Sequence, residues 1–326
     1  MVMAGRLRAL AIPIAGYGVA SARLRLYALL HELDHAIAAD VLPPRDAYAL
    51  ERADPLAYEV IYVQKEASPA VVKFCERAAR AGTPIVYDID DDFGCWRGMD
   101  EATLCRMAST VTVDSPARAA ALRSETSAPV QVVPCMIDLA SDPRRGEDRH
   151  VVPELSTVGT FGNLESVTAT VPYLDRVPPP VRKIAIGPAG MASVFGDAEL
   201  VLFDTTTFVR ELLRAEIFLL AHTDDESARK DNNRLVMAMS LGIPAITSPT
   251  PSYVDTLVAA GFPWMVCSSP DDVPALLERL RPASLRVEIG ATLRGWAWRN
   301  YAPSVVAGMF LEVLRATVER SRCVYR

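Results

Sequence analysis

Two stretches concentrate side chains that could do chemistry. In the first, Lys230, Asp231, Asn232, Asn233 and Arg234 stand directly before the nearly all-apolar run 235–241. A helix polar only at its start buries its body and presents its N-terminal turn to a cleft. The free N–H groups and the positive dipole end of that turn suit an anion such as a pyrophosphate. The two asparagines can donate further hydrogen bonds, and Lys230 and Arg234 supply charge. The same spacing also describes a well-capped core helix, with Gly242 suited to a left-handed cap and Pro244 preventing continuation. In the second stretch Asp88, Asp90, Asp91 and Asp92 form the densest carboxylate cluster, at the end of the apolar run 84–89. Strand alternation puts Asp88 and Asp90 on one side. Such a cluster could hold a divalent ion against phosphates, act as a base, bind hydroxyls, or cap a helix as a solvated acidic loop.

Smaller constellations compete with these. Gly16, Tyr17 and Gly18 begin a G-x-G-x-x-G pattern whose third glycine is replaced by Ser21. That glycine allows close helix–strand packing in dinucleotide enzymes, so a nicotinamide cofactor is the weaker reading. A plain tight turn with Arg23 one helical turn further on is the other. The sequence His31-Glu-Leu-Asp-His35 fits H-E-x-x-H, whose histidines could share a zinc ion. A charged Asp34 sits inside it, and only His150 and His222 remain as histidine third ligands. Asp224, Asp225 and Glu226 precede Lys230 and are expected to border an anion pocket or to pair with nearby basic residues.

The chain has 326 residues, more than one ordinary core, which indicates about two domains. A net charge of −6 and a pI near 5.4 argue against a general nucleic-acid binder. Six scattered cysteines without a C-x-x-C pair imply neither a zinc site nor a disulfide framework, and a cytoplasmic location fits them. No apolar run approaches the ~18 residues of a membrane span. Arg6 and Arg8 before an apolar run imitate a signal peptide, but Pro13, Gly16 and Gly18 interrupt it. The reading adopted is a first strand, a glycine loop and a first helix.

From there apolar runs at 59–63, 84–89, 109–113 and 130–133 alternate with helical segments, Ser68-Pro69 and Ser115-Pro116 each opening a helix and Gly82 closing one. This is the pattern of βαβ units and a mostly parallel sheet. The charged, proline-bearing segment 142–153 marks a linker. After it, strands are expected at 156–161, 183–186, 200–203, 216–221, 245–247 and 264–267, and residues 301–318 show helical spacing.

With these residues in place, the stretch 230–248 resembles the donor-site helix of GT-B glycosyltransferases, particularly glycosyltransferase family 4 and its relatives, which often read K-S-N-N-K/R-x-x-E-A-M-A-x-G-x-P-V. The segment 84–92 is similar to their V-V-Y-D-I-D-D-D, residues 132–138 to their V-P-N-G-V-D turn, and 157–163 to the strand and glycine turn that open their donor domain. One departure is Met237, where the family has the glutamate that holds the ribose; another is Arg229, at the partner glutamate's position. The resemblance implies an α/β fold of two facing Rossmann-like domains, an acceptor domain at 1–145 and a donor domain at 146–300. Residues 301–326 would form a helix crossing back to the first. It further implies sugar transfer from a nucleoside diphosphate to a glycan, lipid-linked or small-molecule acceptor, without metal or bound cofactor. A lipid-linked acceptor would bring peripheral membrane contact. Lys230 to Arg234, with Gly162 and Asn163, would bind the donor; Gly16, Tyr17, Gly18 and Arg23 would line the cleft; Asp88, Asp90 and Asp91 would be the catalytic carboxylates. A nucleotide- or glycan-binding relative without turnover and a nicotinamide-dependent oxidoreductase are the alternatives.

Overall fold

The computed structural model describes residues 5–90, 98–138, 151–193, 196–222 and 230–324. The chain forms two compact units, Met1–Met136 together with Ala302–Arg326, and Ile137–Tyr301.

The first unit is built on strands β1 (Leu7–Pro13), β2 (Ile37–Val41), β3 (Val60–Gln64), β4 (Ile85–Ile89), β5 (Thr110–Val113) and β6 (Val130–Val132). They lie in the order β2-β1-β3-β4-β5-β6 and every pairing is parallel. Parallel neighbours need crossover connections, and helices covering both faces leave the central strands apolar almost throughout. The helix Pro69–Ala81 shows how the local sequence makes a crossover. Ser68 precedes a proline at the first helical position, and Gly82 closes the helix at φ 80°, a left-handed conformation. β2 was not expected: it lies at the sheet edge, and its IAADV sequence is short, interrupted by Asp40 and exposed at its end.

The helix Pro303–Val324 completes this unit, burying Val306, Phe310, Leu314 and Val318 at four-residue spacing. The expected helix over 301–318 thus begins later, because Pro303 ends the preceding helix Ala283–Tyr301 and opens a new one. By length and composition the region Ala283–Cys323 could cross a membrane, contrary to the reading from apolar runs. Five of its apolar side chains, Val306, Ala307, Phe310, Leu314 and Val318, instead sit in the core of the first unit.

A buried charge network joins the first helical segment to this sheet. The Arg25 guanidinium donates to Asp88 through Nε at 2.8 Å and Nη2 at 2.6 Å, and through Nη1 to the Val133 carbonyl at 2.8 Å. Thr112 donates to the same carboxylate at 2.6 Å, and the Tyr62 hydroxyl donates to the Arg25 carbonyl at 2.6 Å. Burial opposes the arginine's charge, yet the carboxylate beside it holds its pKa well above the ordinary value. Asp88, expected among the catalytic carboxylates, is therefore a structural residue: alternation along β4 sends it to the face shared by Val86, under the first helix, with no exposed surface.

The second unit carries β7 (Thr157–Phe161), β8 (Arg182–Gly187), β9 (Glu199–Leu202), β10 (Ile217–Leu220) and β11 (Ala245–Thr247) in the order β11-β10-β7-β8-β9, again all parallel. The strand expected over 264–267 is a 3-10 turn, Pro263–Met265, followed by a single bridge from Val266 to Thr247. Proline at the turn's start has no N–H to give a ladder. The chain enters at β7, runs outward through β8 and β9, then crosses to the other flank of β7 with β10. Connections therefore diverge at the carboxyl ends of β7 and β10, the crevice where open α/β sheets bind ligands.

Substituting Asp88→Asn strands the Arg25 charge in the core and is expected to lower stability by about 3–5 kcal/mol, read as a shifted urea midpoint. Lost turnover with an unchanged midpoint would instead return Asp88 to a catalytic role.

Candidate functional site

The β7–β10 crevice is where the polar start of the 230–248 stretch arrives. The helix Asn233–Ser240 buries every residue from Leu235 to Ser240, and Gly242 at φ 70° terminates it. That buried body anchors the first turn at the carboxyl edge of the sheet. Arg234 lays its guanidinium across the crevice, donating from Nη1 to the carbonyl of Phe161, the last residue of β7, at 3.2 Å. Its Nη2 donates to the carbonyl of Ala221, one residue past β10, at 2.6 Å. The same nitrogen lies 3.4 Å from Nδ1 and 3.2 Å from Nε2 of His222.

The turn after β7 is shaped to receive this side chain. Gly162 has φ 144°, and a Cβ there would lie 3.0 Å from Cδ of Arg234 and 3.2 Å from Cβ of Ser166. Only glycine is accommodated without strain. Asn163 caps the helix Leu164–Leu174 by accepting from the Ser166 N–H at 2.8 Å. In the first turn of that helix Glu165 places a carboxylate oxygen 3.7 Å from Nζ of Lys230. Gly162, Asn163, Lys230 and Arg234, separated by about seventy positions, are thus brought together.

Two residues of the expected donor group play other parts. Asn232 donates both amide hydrogens inward, to Thr256 Oγ1 at 2.8 Å and to the Tyr301 hydroxyl at 2.7 Å, so they are not offered to an anion. Asp231 accepts from the Asn233 N–H at 3.2 Å and so occupies one donor of the helix start. Positive charge at this edge therefore comes from Arg234 and Lys230 more than from free helix N–H groups. Met237, where the resemblance expects a glutamate, is buried in the helix body.

His222 was weighed from the sequence only as a zinc ligand. Its signal was its place directly beyond an apolar strand run, the edge where parallel sheets present functional groups. Its N–H donates to Ser248 Oγ at 3.2 Å, and its Nε2 lies 3.0 Å from the Tyr253 hydroxyl. Burial, followed by the positive charges of Arg234 and Lys230, pushes the imidazole down to about 2. The ring is neutral. The two carbonyls, this imidazole and the Tyr253 hydroxyl, which meet Arg234 among the described residues, are also uncharged.

In the first unit, Tyr17 is exposed, while Arg23 is buried, donates to the Tyr17 carbonyl at 3.4 Å and stands 5.8 Å over the Tyr17 ring. A Cβ on Gly16 or Gly18 would meet nothing within 4 Å, so neither glycine serves a close approach inside the unit. Asp90 pairs with Lys65 at 3.0 Å, both side chains nearly buried. Asp91, Asp92, His150, Asp224, Asp225, Glu226 and Arg229 lie outside the described residues. His31 and His35 are exposed, and the described residues hold no group of three or more metal-type ligands.

No family model and no curated protein matches the chain. Solved structures do. The chain is similar to AviGT4, described as a glycosyltransferase involved in avilamycin A biosynthesis, with TM-score 0.63 and 14% identity over 96% of this chain and 98% of that one. It is similar to an O-GlcNAc transferase mutant of Thermobaculum terrenum, with TM-score 0.64 and 13% identity over 98% and 69%. A third is a DNA-modifying β-glucosyltransferase studied with and without uridine diphosphoglucose, with TM-score 0.61 and 11% identity over 96% and 100%. At these identities the likeness establishes the fold, which is GT-B.

An unfolded histidine binds a proton near pH 6.5, whereas His222 in the folded chain stays neutral to about 2. The stability conferred by the neutral ring is complete above pH 6.5 and is lost as the pH falls below it, since the unfolded state then binds the extra proton. The stability gap between wild type and His222→Gln should narrow by about 2 kcal/mol between pH 7.5 and 5.0 in urea unfolding. Parallel pH profiles would contradict a neutral ring.

Proposed function

We propose that this GT-B chain is a glycosyltransferase that moves a sugar from a nucleoside diphosphate donor to a glycan, lipid-linked or small-molecule acceptor in the cytoplasm. The observation that carries the reading is the Arg234 guanidinium: half-buried, laid across the β7–β10 crevice, and held among the described residues by neutral groups. A cation so placed attracts an anion, and its planar fork suits phosphate oxygens. The structural neighbours support a sugar nucleotide as that anion, since one is described with uridine diphosphoglucose.

In the proposed mechanism, catalysis is mainly electrostatic. As the bond between sugar and diphosphate breaks, negative charge grows on the departing pyrophosphate; Arg234 and Lys230 meet it with charges already in place, so little reorganisation is needed. Gly162 keeps the turn after β7 free of side-chain bulk beside Arg234. The proposal assigns charge neutralisation to these side chains and involves no metal. With Asp88 committed to Arg25, the carboxylate left near the end of β4 among the described residues is Asp90, which holds Lys65.

A second reading is binding without turnover. Met237, buried where related chains carry a ribose-holding glutamate, favours it.

The test is a thermal-shift panel of UDP, GDP, ADP, CMP and dTDP, followed by donor hydrolysis without acceptor. One nucleoside diphosphate should raise the melting temperature by mass action. Arg234→Lys, which keeps the charge but loses the fork, and Lys230→Ala should each lower the hydrolysis rate, the former by about 100-fold. Wild-type rates in both variants would defeat the assignment, and nucleotide binding with no turnover would select the second reading.

A further inference from the structure

Arg234 leans on a group that is itself held from several directions. The His222 main chain is fixed to the buried Ser248, whose hydroxyl lies 3.0 Å from that of the buried Thr250. Its ring is set by the hydroxyl of the fully buried Tyr253 at 3.0 Å and packs against the Tyr253 ring at 5.2 Å between centroids. Facing it, Arg234 Nη2 approaches both ring nitrogens. A guanidinium has only donors, and at nearly equal distance from both ring nitrogens it meets the face of the imidazole, a contact that the neutral ring favours and a protonated ring would repel.

We infer that His222 is a positioning residue for the diphosphate-binding Arg234, holding the guanidinium over the strand ends as a neutral partner and so leaving its positive charge available to the donor. The inference rests on the glycosyltransferase reading above and deepens it by naming what keeps the anion site charged. The alternatives at this position show why. A carboxylate would orient the arginine more firmly, but the resulting ion pair would cancel the charge and repel an arriving diphosphate. An alanine would leave the charge and lose the orientation. An imidazole locked neutral does both tasks, and the depressed pKa that burial and the neighbouring cations impose keeps it so across physiological pH.

The experiment is titration calorimetry at pH 7.5 with inorganic pyrophosphate and with UDP and GDP, on the wild type and on His222→Gln, His222→Glu and His222→Ala, each with its urea midpoint recorded. Gln and Glu match in size, so a residue that merely fills space would treat them alike. Expected is retention of affinity within about 3-fold in His222→Gln, a loss of about 10-fold in His222→Ala and of about 100-fold in His222→Glu, the range of one hydrogen bond to a charged group. Equal affinities in the Gln and Glu variants, or wild-type affinity in His222→Ala, would overturn the inference and leave the glycosyltransferase reading standing. If His222→Glu fails to fold, the Gln and Ala variants decide the matter, and equal binding by them overturns it. A wild-type chain that binds neither pyrophosphate nor any nucleotide of the thermal-shift panel would overturn both.

Discussion

A guanidinium that is partly withdrawn from water and whose partners among the described residues are neutral organises the sheet edge of the second unit. Arg234 reaches two carbonyl groups at the ends of adjacent parallel strands and a neutral imidazole beyond one of them. The rest of the local structure serves that reach. The buried helix body fixes the backbone of Arg234, the side chain passes 3.0 Å from where a Cβ on Gly162 would stand, and Tyr253 and Ser248 set the histidine. Partial charges of strand carbonyls orient the cation without neutralising it. An ion pair would have given more rigidity at the loss of the field.

The first unit solves the opposite problem with the same side chain. Arg25 is entirely buried and is matched by a bidentate carboxylate, a threonine hydroxyl on that carboxylate and a backbone carbonyl. Its charge is consumed inside the fold, where it joins the first helical segment to β4, β5 and the end of β6. The contrast between the two arginines separates a residue that holds a structure from one that holds a charge ready.

Much of this was legible in the sequence because the signals were covalent or periodic. Apolar runs bounded by proline and glycine located the central strands, and Gly82 and Gly242 both proved to be left-handed caps. What failed depended on partners far along the chain. Asp88 looked reactive within its carboxylate cluster, and only the approach of Arg25, 63 residues away, shows it committed to the core. Asn232 has the right type and place for a ligand donor, yet Tyr301, 69 residues on, takes one of its hydrogens. His222 had no local motif at all, since its significance lies in facing an arginine that packing brings to it. The 264–267 run showed that β-type composition cannot build a ladder from a turn that begins with proline.

The first unit is discontinuous along the chain, since Val306, Phe310, Leu314 and Val318 come from a helix made after the whole of Ile137–Tyr301. During synthesis the sheet β1 to β6 therefore waits with the apolar faces of Leu24, Leu26, Leu29 and Tyr62 lacking their final cover. The second unit, contiguous in sequence, can close first as it leaves the ribosome. The first core can thus be completed only after the second unit has been made, although its sheet is the earlier product of synthesis.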